Sequence, residues 1–261
     1  MTVQPQTTQS PRRVPFLDEA RGLLLFIMVL YHCIYDLISI FGVRSPLLHS
    51  PFLHNVVQPW SAGGFILISG IVCRYSRNNL KRGLQTFGVG LGITLLTAVA
   101  LPSQIVRFGV LHMLGCCMIL YALLRPLHKF GSSSAAIAGI AVCILLFLLT
   151  RHIARGYLGA ASLRFPLPDA WYQSSLLFPL GIHPRSFFSS DYFPLLPWMF
   201  VFFAGSFLGI FFVNNALPEF FYRSHSKVLS WVGRHSLIIY ILHQPVIYGA
   251  LLLWFRLVPP T

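Results

Sequence analysis

Residues 16–41 read FLDEARGLLLFIMVLYHCIYDLISIF, and this stretch decides the class of fold. An α-helix needs about 20 mostly apolar residues to cross a bilayer, and this stretch is long enough to do so. It follows the polar segment MTVQPQTTQSPRR and lacks the small-residue cleavage site of a signal peptide. We therefore predict a retained first transmembrane helix from about Phe16 to Phe41.

The composition extends this prediction to the whole chain. Charged residues make up 10% of the chain and hydrophobic residues 56%, whereas a soluble domain carries roughly 25% charged residues. We predict an all-α polytopic transmembrane helix bundle with about seven spans. A shorter apolar segment, Trp171–Ile182, is either an eighth span or an interfacial segment. The predicted spans are roughly Phe16–Phe41, Val56–Tyr75, Leu84–Leu101, Phe108–Leu124, Ala135–Thr150, Tyr192–Val213 and Val228–Trp254.

The distribution of basic residues predicts the orientation. The net charge is +13, with 19 Lys and Arg against 6 Asp and Glu. Most of these cations flank apolar runs, which is typical of topology signals and anionic lipid contacts rather than of nucleic-acid binding. All three lysines fall on the side of the N-terminus, so we expect that side to be cytoplasmic. Residues 1–13 then form a disordered cytoplasmic tail, and residues 14–258 form a single transmembrane domain.

Ionisable side chains follow one face of the predicted first helix. His32 follows Arg21 by three helical turns, and Asp36 follows His32 by one turn. Such groups are costly within a span and usually face a protein interior or a wet cavity. A carboxylate beside an imidazole is typical of a general base, so His32 and Asp36 are candidate catalytic residues, and Arg21 suits an anion such as phosphate. The alternative is a packing hydrogen bond between His32 and Asp36, with Arg21 as a topology anchor.

The seventh predicted span carries a second polar face. Ser236, Tyr240 and His243 recur at i, i+4 and i+7, so they share one side of the helix. Hydrogen bonding between helices is the alternative role for this face. The five cysteines form no CxxC pair, and the loop histidines His49 and His54 have no evident third ligand, so no metal site is predicted.

Four stretches, in order along the chain, resemble one family. They are RRVPFLDEARGLLLFIMVLYHCIYDLISIFG at residues 12–42, GVLHMLGCCMILY at 109–121, SSDYFPLLPWMFVFFAGSFLG at 189–209 and LSWVGRHSLIIYILHQPV at 229–246. Together they are similar to the bacterial heparan-α-glucosaminide N-acetyltransferase catalytic-domain-like family. The ten residues between Arg21 and His32 also resemble a pattern of the wider transmembrane acyltransferase superfamily.

The resemblance implies an enzyme of the bacterial inner membrane (the plasma membrane) that moves an acyl group across the bilayer. The donor would be acetyl-CoA, or another acyl-CoA, bound from the cytoplasmic side. Arginine and lysine side chains pair well with the phosphates of such a donor. The candidate donor-binding residues are Arg21, Arg74, Arg77 and Lys81.

The same resemblance implies a sugar or glycan acceptor on the outer side. Asp191 and Trp198 lie at the outer mouth of the sixth span, where two prolines predict an irregular start to the helix. Together with Tyr240 and His243 on the seventh span, they are the candidate acceptor-binding residues.

Two histidines compete for the role of the general base. The catalytic histidine of the relatives lies in the loop after the first family helix, and an ungapped count back from Gly70 places His49 at that position. The same relatives have Asn where this chain has His32. The superfamily spacing and the neighbouring Asp36 favour His32.

Two other classes of function are open at the level of sequence. A proton-coupled transporter would use the buried His and Asp as a relay, although the sequence shows no internal repeat. A b-type haem carrier would use His32, His112 and His243 as ligands, although no helix has two histidines at matched depths. The acceptor, the length of the acyl group and a homodimeric state do not follow from the sequence.

Overall fold

The computed structural model describes residues 12–44, 50–124, 131–160 and 162–257, so the candidate base His49 lies outside the described residues. Within these ranges the chain is mainly helical. A short antiparallel hairpin joins β1, Tyr157–Ala160, to β2, Leu163–Pro166. The helices are α1 Pro15–Ser39, α2 Gln58–Cys73, α3 Asn79–Ala100, α4 Val110–Leu123, α5 Ser133–Thr150, α6 Leu195–Val213, α7 Lys227–Arg234 and α8 Ser236–Leu257.

The helices confirm the predicted all-α polytopic membrane architecture. Six helical segments of the described chain are long and apolar enough to cross a membrane, and α4 is apolar but shorter. The irregular start predicted for the sixth span is also confirmed, because Leu196 has non-helical backbone angles inside α6. The hairpin β1–β2 is not predicted from the sequence. Its strands are four residues each, too short to give a clear alternating pattern.

The predicted seventh span, Val228–Trp254, is wrong at its beginning. The helix is interrupted at His235, so that α7 and α8 are separate elements. The ring Nδ1 of His235 donates to the carbonyl of Trp231 at 2.9 Å, and the backbone of His235 leaves the helical region. Only α8 is therefore a span, and α7 is a short helix that precedes it.

The segment Trp171–Ile182 is not an eighth span. It contains the end of one short 3₁₀ turn, Asp169–Tyr172, and the whole of a second, Phe178–Leu180. Pro179 removes a backbone donor in the second turn, and Gly181 ends that turn with a φ of 97°. The local backbone therefore cannot continue as a helix.

The chain forms two compact units. Within the described residues, the central unit lies in the range 66–216, and the terminal unit combines residues from the ranges 12–65 and 217–257. The terminal unit thus brings α1 together with α7 and α8 from the other end of the sequence. The single domain expected for residues 14–258 and the cytoplasmic N-terminus both stay predictions.

Two glycines allow α1 and α7 to cross at backbone contact in the terminal unit. A Cβ atom at Gly233 would lie 1.8 Å from the carbonyl oxygen of Asp18, and one at Gly22 would lie 2.2 Å from that of Leu229. Small residues at helix crossings allow this kind of approach in membrane proteins. The crossing therefore depends on glycine on both helices.

Glu19 fixes the beginning of α7 against α1. Its Oε1 accepts hydrogen bonds from the Ser224 hydroxyl at 2.8 Å and from the backbone amides of His225 at 2.8 Å and Ser226 at 3.0 Å. A carboxylate at a helix N-terminus satisfies amides that lack a helical partner and interacts favourably with the helix dipole. This explains why an acid only 5% exposed is tolerated within α1.

Glycines also allow close contact between helices in the central unit. A Cβ atom at Gly83 on α3 would lie 2.9 Å from the carbonyl oxygen of Gly115 on α4, and a Cβ atom at Gly115 would lie 2.9 Å from that of Gly83. On α6, a Cβ atom at Gly205 would lie 2.0 Å from the carbonyl oxygen of Leu67. Glycine at these positions therefore allows close packing between α3 and α4 and between α6 and α2.

The close contact at Gly233 predicts that one added methyl group there lowers the stability of the protein strongly. We expect Gly233→Ala to lower stability by about 1–3 kcal/mol, because the clash is with backbone rather than with a flexible side chain. Gly249→Ala is the matched control, since a Cβ atom there meets nothing within 4 Å. Thermal unfolding in detergent measures both. Equal melting temperatures for the two variants would contradict the described crossing.

Candidate active site

Helices α1 and α8 bring five polar side chains together inside the terminal unit. We call this set the polar cluster. It consists of His32 and Asp36 from α1 and of Tyr240, His243 and Gln244 from α8. The sequence predicts four of these residues on polar helix faces, and the structure shows that the two faces meet.

The two histidines of the cluster contact each other edge to face. Their ring centroids are 4.8 Å apart and the ring planes are 78° from parallel. Nδ1 of His32 lies 3.0 Å from the Met28 carbonyl oxygen, and Nδ1 of His243 lies 2.6 Å from that of Tyr240. A carbonyl only accepts hydrogen bonds, so both Nδ1 atoms carry a proton. In the neutral rings Nε2 is then the basic nitrogen.

Asp36 is held by Gln244 and not by His32. Its side chain is fully buried, and its Oδ1 accepts a 2.7 Å hydrogen bond from Gln244 Nε2. The other carboxyl oxygen, Oδ2, has no hydrogen-bond partner among the described residues. The direct His32–Asp36 hydrogen bond suggested by their spacing is therefore not formed, because the Met28 carbonyl on the same helix already binds the Nδ1 proton of His32.

Three buried acceptor atoms of the cluster lack a donor. They are Asp36 Oδ2, His243 Nε2 and Gln244 Oε1, each without a partner within the part of the chain that the structure describes. Buried polar atoms without partners cost about 1–3 kcal/mol each, and native proteins contain few of them. Three in one cluster therefore point to a ligand that donates hydrogen bonds.

The candidate donor-binding cations have different surroundings. Arg21 lies 3.8 Å from Asp18 within the terminal unit and is largely buried. In the central unit, Arg74 donates from Nε to the Ser206 carbonyl at 2.9 Å, which holds its side chain against α6. Arg77 and Lys81, by contrast, are exposed beside the beginning of α3. This pair is the better placed to meet a phosphate from solution.

Asp191 and Trp198, the other candidate acceptor residues, have packing roles in the central unit. Oδ2 of Asp191 accepts a 3.2 Å hydrogen bond from the Val110 amide and so caps the N-terminus of α4. The Trp198 ring packs against Phe193 and Phe147, with centroid distances of 5.3 and 6.2 Å. Acceptor binding by either residue stays a prediction.

His112 differs from the histidines of the polar cluster because both of its ring nitrogens have partners. The Gly109 amide donates to Nδ1 at 3.2 Å, and Thr94 Oγ1 lies 3.3 Å from Nε2. The ring also stacks on Phe108 at a centroid distance of 5.5 Å. His112 is thus a packing residue, and neither ring nitrogen is available as a haem ligand.

Two polar residues that shape the terminal unit escape reasoning from the sequence. Gln244 is apparent there only as a neighbour of His243, and Glu19 is less prominent than Asp18 in the polar face of α1. Both are polar residues within strongly apolar helices, and this is the signal that points to His32 and Asp36. The structure adds the partner of each. Gln244 binds Asp36, and Glu19 binds the amides of His225 and Ser226, just before α7.

A family profile described as Heparan-alpha-glucosaminide N-acetyltransferase, catalytic, matches residues 13–245. The match covers most of the 261 residues and contains the whole polar cluster. The chain belongs to this family. Family membership implies a transmembrane acetyltransferase. Searches of curated proteins and of solved structures gave no significant match.

The hydrogen bond between Asp36 and Gln244 predicts a non-additive pair of substitutions. We expect Gln244→Leu to lower stability by about 1–3 kcal/mol, because it leaves a buried carboxyl group without any hydrogen bond. Adding Asp36→Leu should recover part of that loss, since two apolar side chains leave no unsatisfied group. Chemical unfolding of the two single variants and the double variant measures the coupling. Gln85→Leu, at an exposed position on α3, is the control and should be near neutral.

Proposed function

We propose that the protein transfers an acetyl group from acetyl-CoA to a sugar or glycan acceptor, with His32 as the general base. Membership of the acetyltransferase family supports the reaction class. The polar cluster supports the assignment of the site. Backbone carbonyls fix the Nδ1 protons of His32 and His243, and three buried acceptor atoms of the cluster lack a donor among the described residues. The enzyme works in a membrane, for which we propose the bacterial inner membrane.

The chemistry follows from the state of the His32 ring. Neutral Nε2 takes a proton from the acceptor hydroxyl or amine as that oxygen or nitrogen attacks the thioester carbonyl. A C–O or C–N bond forms, the C–S bond breaks, and the thiolate of CoA leaves. The imidazolium then returns its proton to the sulfur. The carboxyl group of Asp36, one helical turn away on α1, favours the transient positive charge.

The orphaned acceptors of the polar cluster fit the acceptor substrate. A sugar presents several hydroxyl or amino donors, which complement Asp36 Oδ2, His243 Nε2 and Gln244 Oε1. These contacts would orient the substrate and leave one of its groups facing the base. His243 and Gln244 are therefore proposed as acceptor-binding residues, with Tyr240 next to them on the same helix.

The assignment of His32 as the general base predicts a large loss of activity when this residue is replaced. We expect His32→Ala to lower kcat by on the order of 100-fold or more, the usual contribution of a general base. His152→Ala, in the central unit and outside the polar cluster, is the control and should retain activity. The assay is transfer of labelled acetyl from acetyl-CoA to a panel of sugar acceptors in proteoliposomes. CoA release is followed in parallel.

The same assay separates the competing histidines. Full activity of His32→Ala together with inactive but folded His49→Ala would move the base to His49 and refute the assignment to His32. His243→Ala should raise the KM for the acceptor more than it lowers kcat, because it removes a binding contact.

The exposed cations Arg77 and Lys81 are proposed to bind the phosphates of the donor. We expect Arg77→Gln/Lys81→Gln to raise the KM for acetyl-CoA with little change in kcat. The increase should be smaller for acetyl-dephospho-CoA, which lacks the 3′-phosphate that these cations would contact. Arg155→Gln/Arg185→Gln removes the same charge from two other exposed positions and is the control. An equal effect of both double variants on KM would contradict a specific donor site.

A further inference from the structure

The helix α7 presents two opposite faces. One face contacts α1 at the backbone of Leu229 and Gly233, and Ser230 and Gly233 are buried. The other carries Lys227, Trp231 and Arg234 at i, i+4 and i+7, so these three side chains lie on one side of the helix. All three are exposed, with Trp231 54% exposed. A helix with an outward tryptophan between two cations is unusual for a water-facing surface.

The neighbouring helix α8 sets the depth of α7. It has 22 residues, so it is about 33 Å long at 1.5 Å per residue. The hydrocarbon core of a bilayer is about 30 Å thick, so α8 alone crosses it. Residues that precede Ser236 must then lie at the level of the headgroups. The contact of α7 with α1 agrees, because it is made at the end of α1 that carries Asp18 and Glu19.

The charge of this region is positive. Arg223 precedes α7 and is exposed like Lys227 and Arg234, and the structure assigns no ion pair to these three cations within the described ranges. The nearby acid Glu219 is already bound to Arg12, with Nη1 and Oε1 2.7 Å apart. Exposed apolar side chains accompany the cations, since Val228 is 70% exposed and Phe220 54% exposed.

We propose that the surface formed by Arg223, Lys227, Val228, Trp231 and Arg234, here called the α7 surface, binds anionic phospholipid headgroups of the leaflet on the side of the α1 N-terminus. The cations pair with the headgroup phosphates, and Trp231 inserts between headgroups and acyl chains, where amphipathic rings are favoured. The occupant is lipid because the apolar and basic side chains share one face that continues directly into a membrane-spanning helix. This role is separate from the proposed acetyl transfer.

Lipid titration tests the α7 surface directly. The full chain is purified in detergent, and binding of phosphatidylglycerol and phosphatidylcholine is followed by native mass spectrometry. We expect tighter binding of phosphatidylglycerol, and a loss of about 25-fold in its affinity for Lys227→Gln/Arg234→Gln, since each cation near an anionic surface contributes about fivefold. Binding of phosphatidylcholine should not change. The control Arg155→Gln/Arg185→Gln should keep the preference for phosphatidylglycerol.

A second measurement reports the position of Trp231 without relying on charge. The emission of Trp231 is obtained as the difference between the fluorescence of the wild type and that of Trp231→Phe. In nanodiscs with lipids brominated near the headgroup, this Trp231 emission should be quenched. An unquenched Trp231 component, or an equal loss of affinity in both double variants, would overturn the proposal. Displacement of phosphatidylglycerol by CoA would overturn it as well, because the cations would then belong to the acyl donor.

Discussion

The contact of α1 with the C-terminal helices is the constraint on which the candidate site depends. Gly22 and Gly233 allow the backbones of α1 and α7 to touch, and Glu19 accepts hydrogen bonds from the amides of His225 and Ser226, just before α7. A single residue, His235, separates α7 from α8. Fixing α7 against the beginning of α1 therefore fixes the register of α8 along the rest of α1. His243 consequently meets His32 two to three turns further along, although the two residues are far apart in sequence.

The polar cluster is costly for a membrane protein in purely structural terms. Asp36 is fully buried with one hydrogen bond, and two further acceptors beside it have none among the described residues. An apolar residue at each position would pack against neighbouring helices without any unsatisfied atom. His112 shows how this chain treats a structural histidine, because a backbone amide and a threonine hydroxyl satisfy both of its nitrogens. The difference between these two environments is the physical reason for assigning function to the cluster and packing to His112.

Sequence reasoning could predict the helices but not the interruption before α8. Long apolar runs define spans because lipid imposes one requirement, a length of about 20 apolar residues. The sequence around His235 remains compatible with a continuous helix, whereas in the structure α7 ends there while its backbone is docked on α1. Similarly, polar residues inside apolar runs identify His32, Asp36, Tyr240 and His243 as candidates. Their hydrogen-bond partners depend on helix register and rotation, which the sequence of one chain does not specify.

The two histidines of the cluster offer the same basic nitrogen, yet their surroundings favour different roles. His243 Nε2 is buried and lacks a partner among the described residues, so a donor group of a bound molecule is what would satisfy it. In the proposed mechanism, a hydrogen bond donated by the acceptor would occupy the Nε2 lone pair of His243 and so keep this ring neutral. His32 lies one helical turn from the Asp36 carboxyl group on the same helix, and this carboxyl group is not screened by water because it is fully buried. A positive charge that forms during the proposed proton transfer is therefore better stabilised on His32, and this is why we propose His32 as the base and His243 as an acceptor-binding residue.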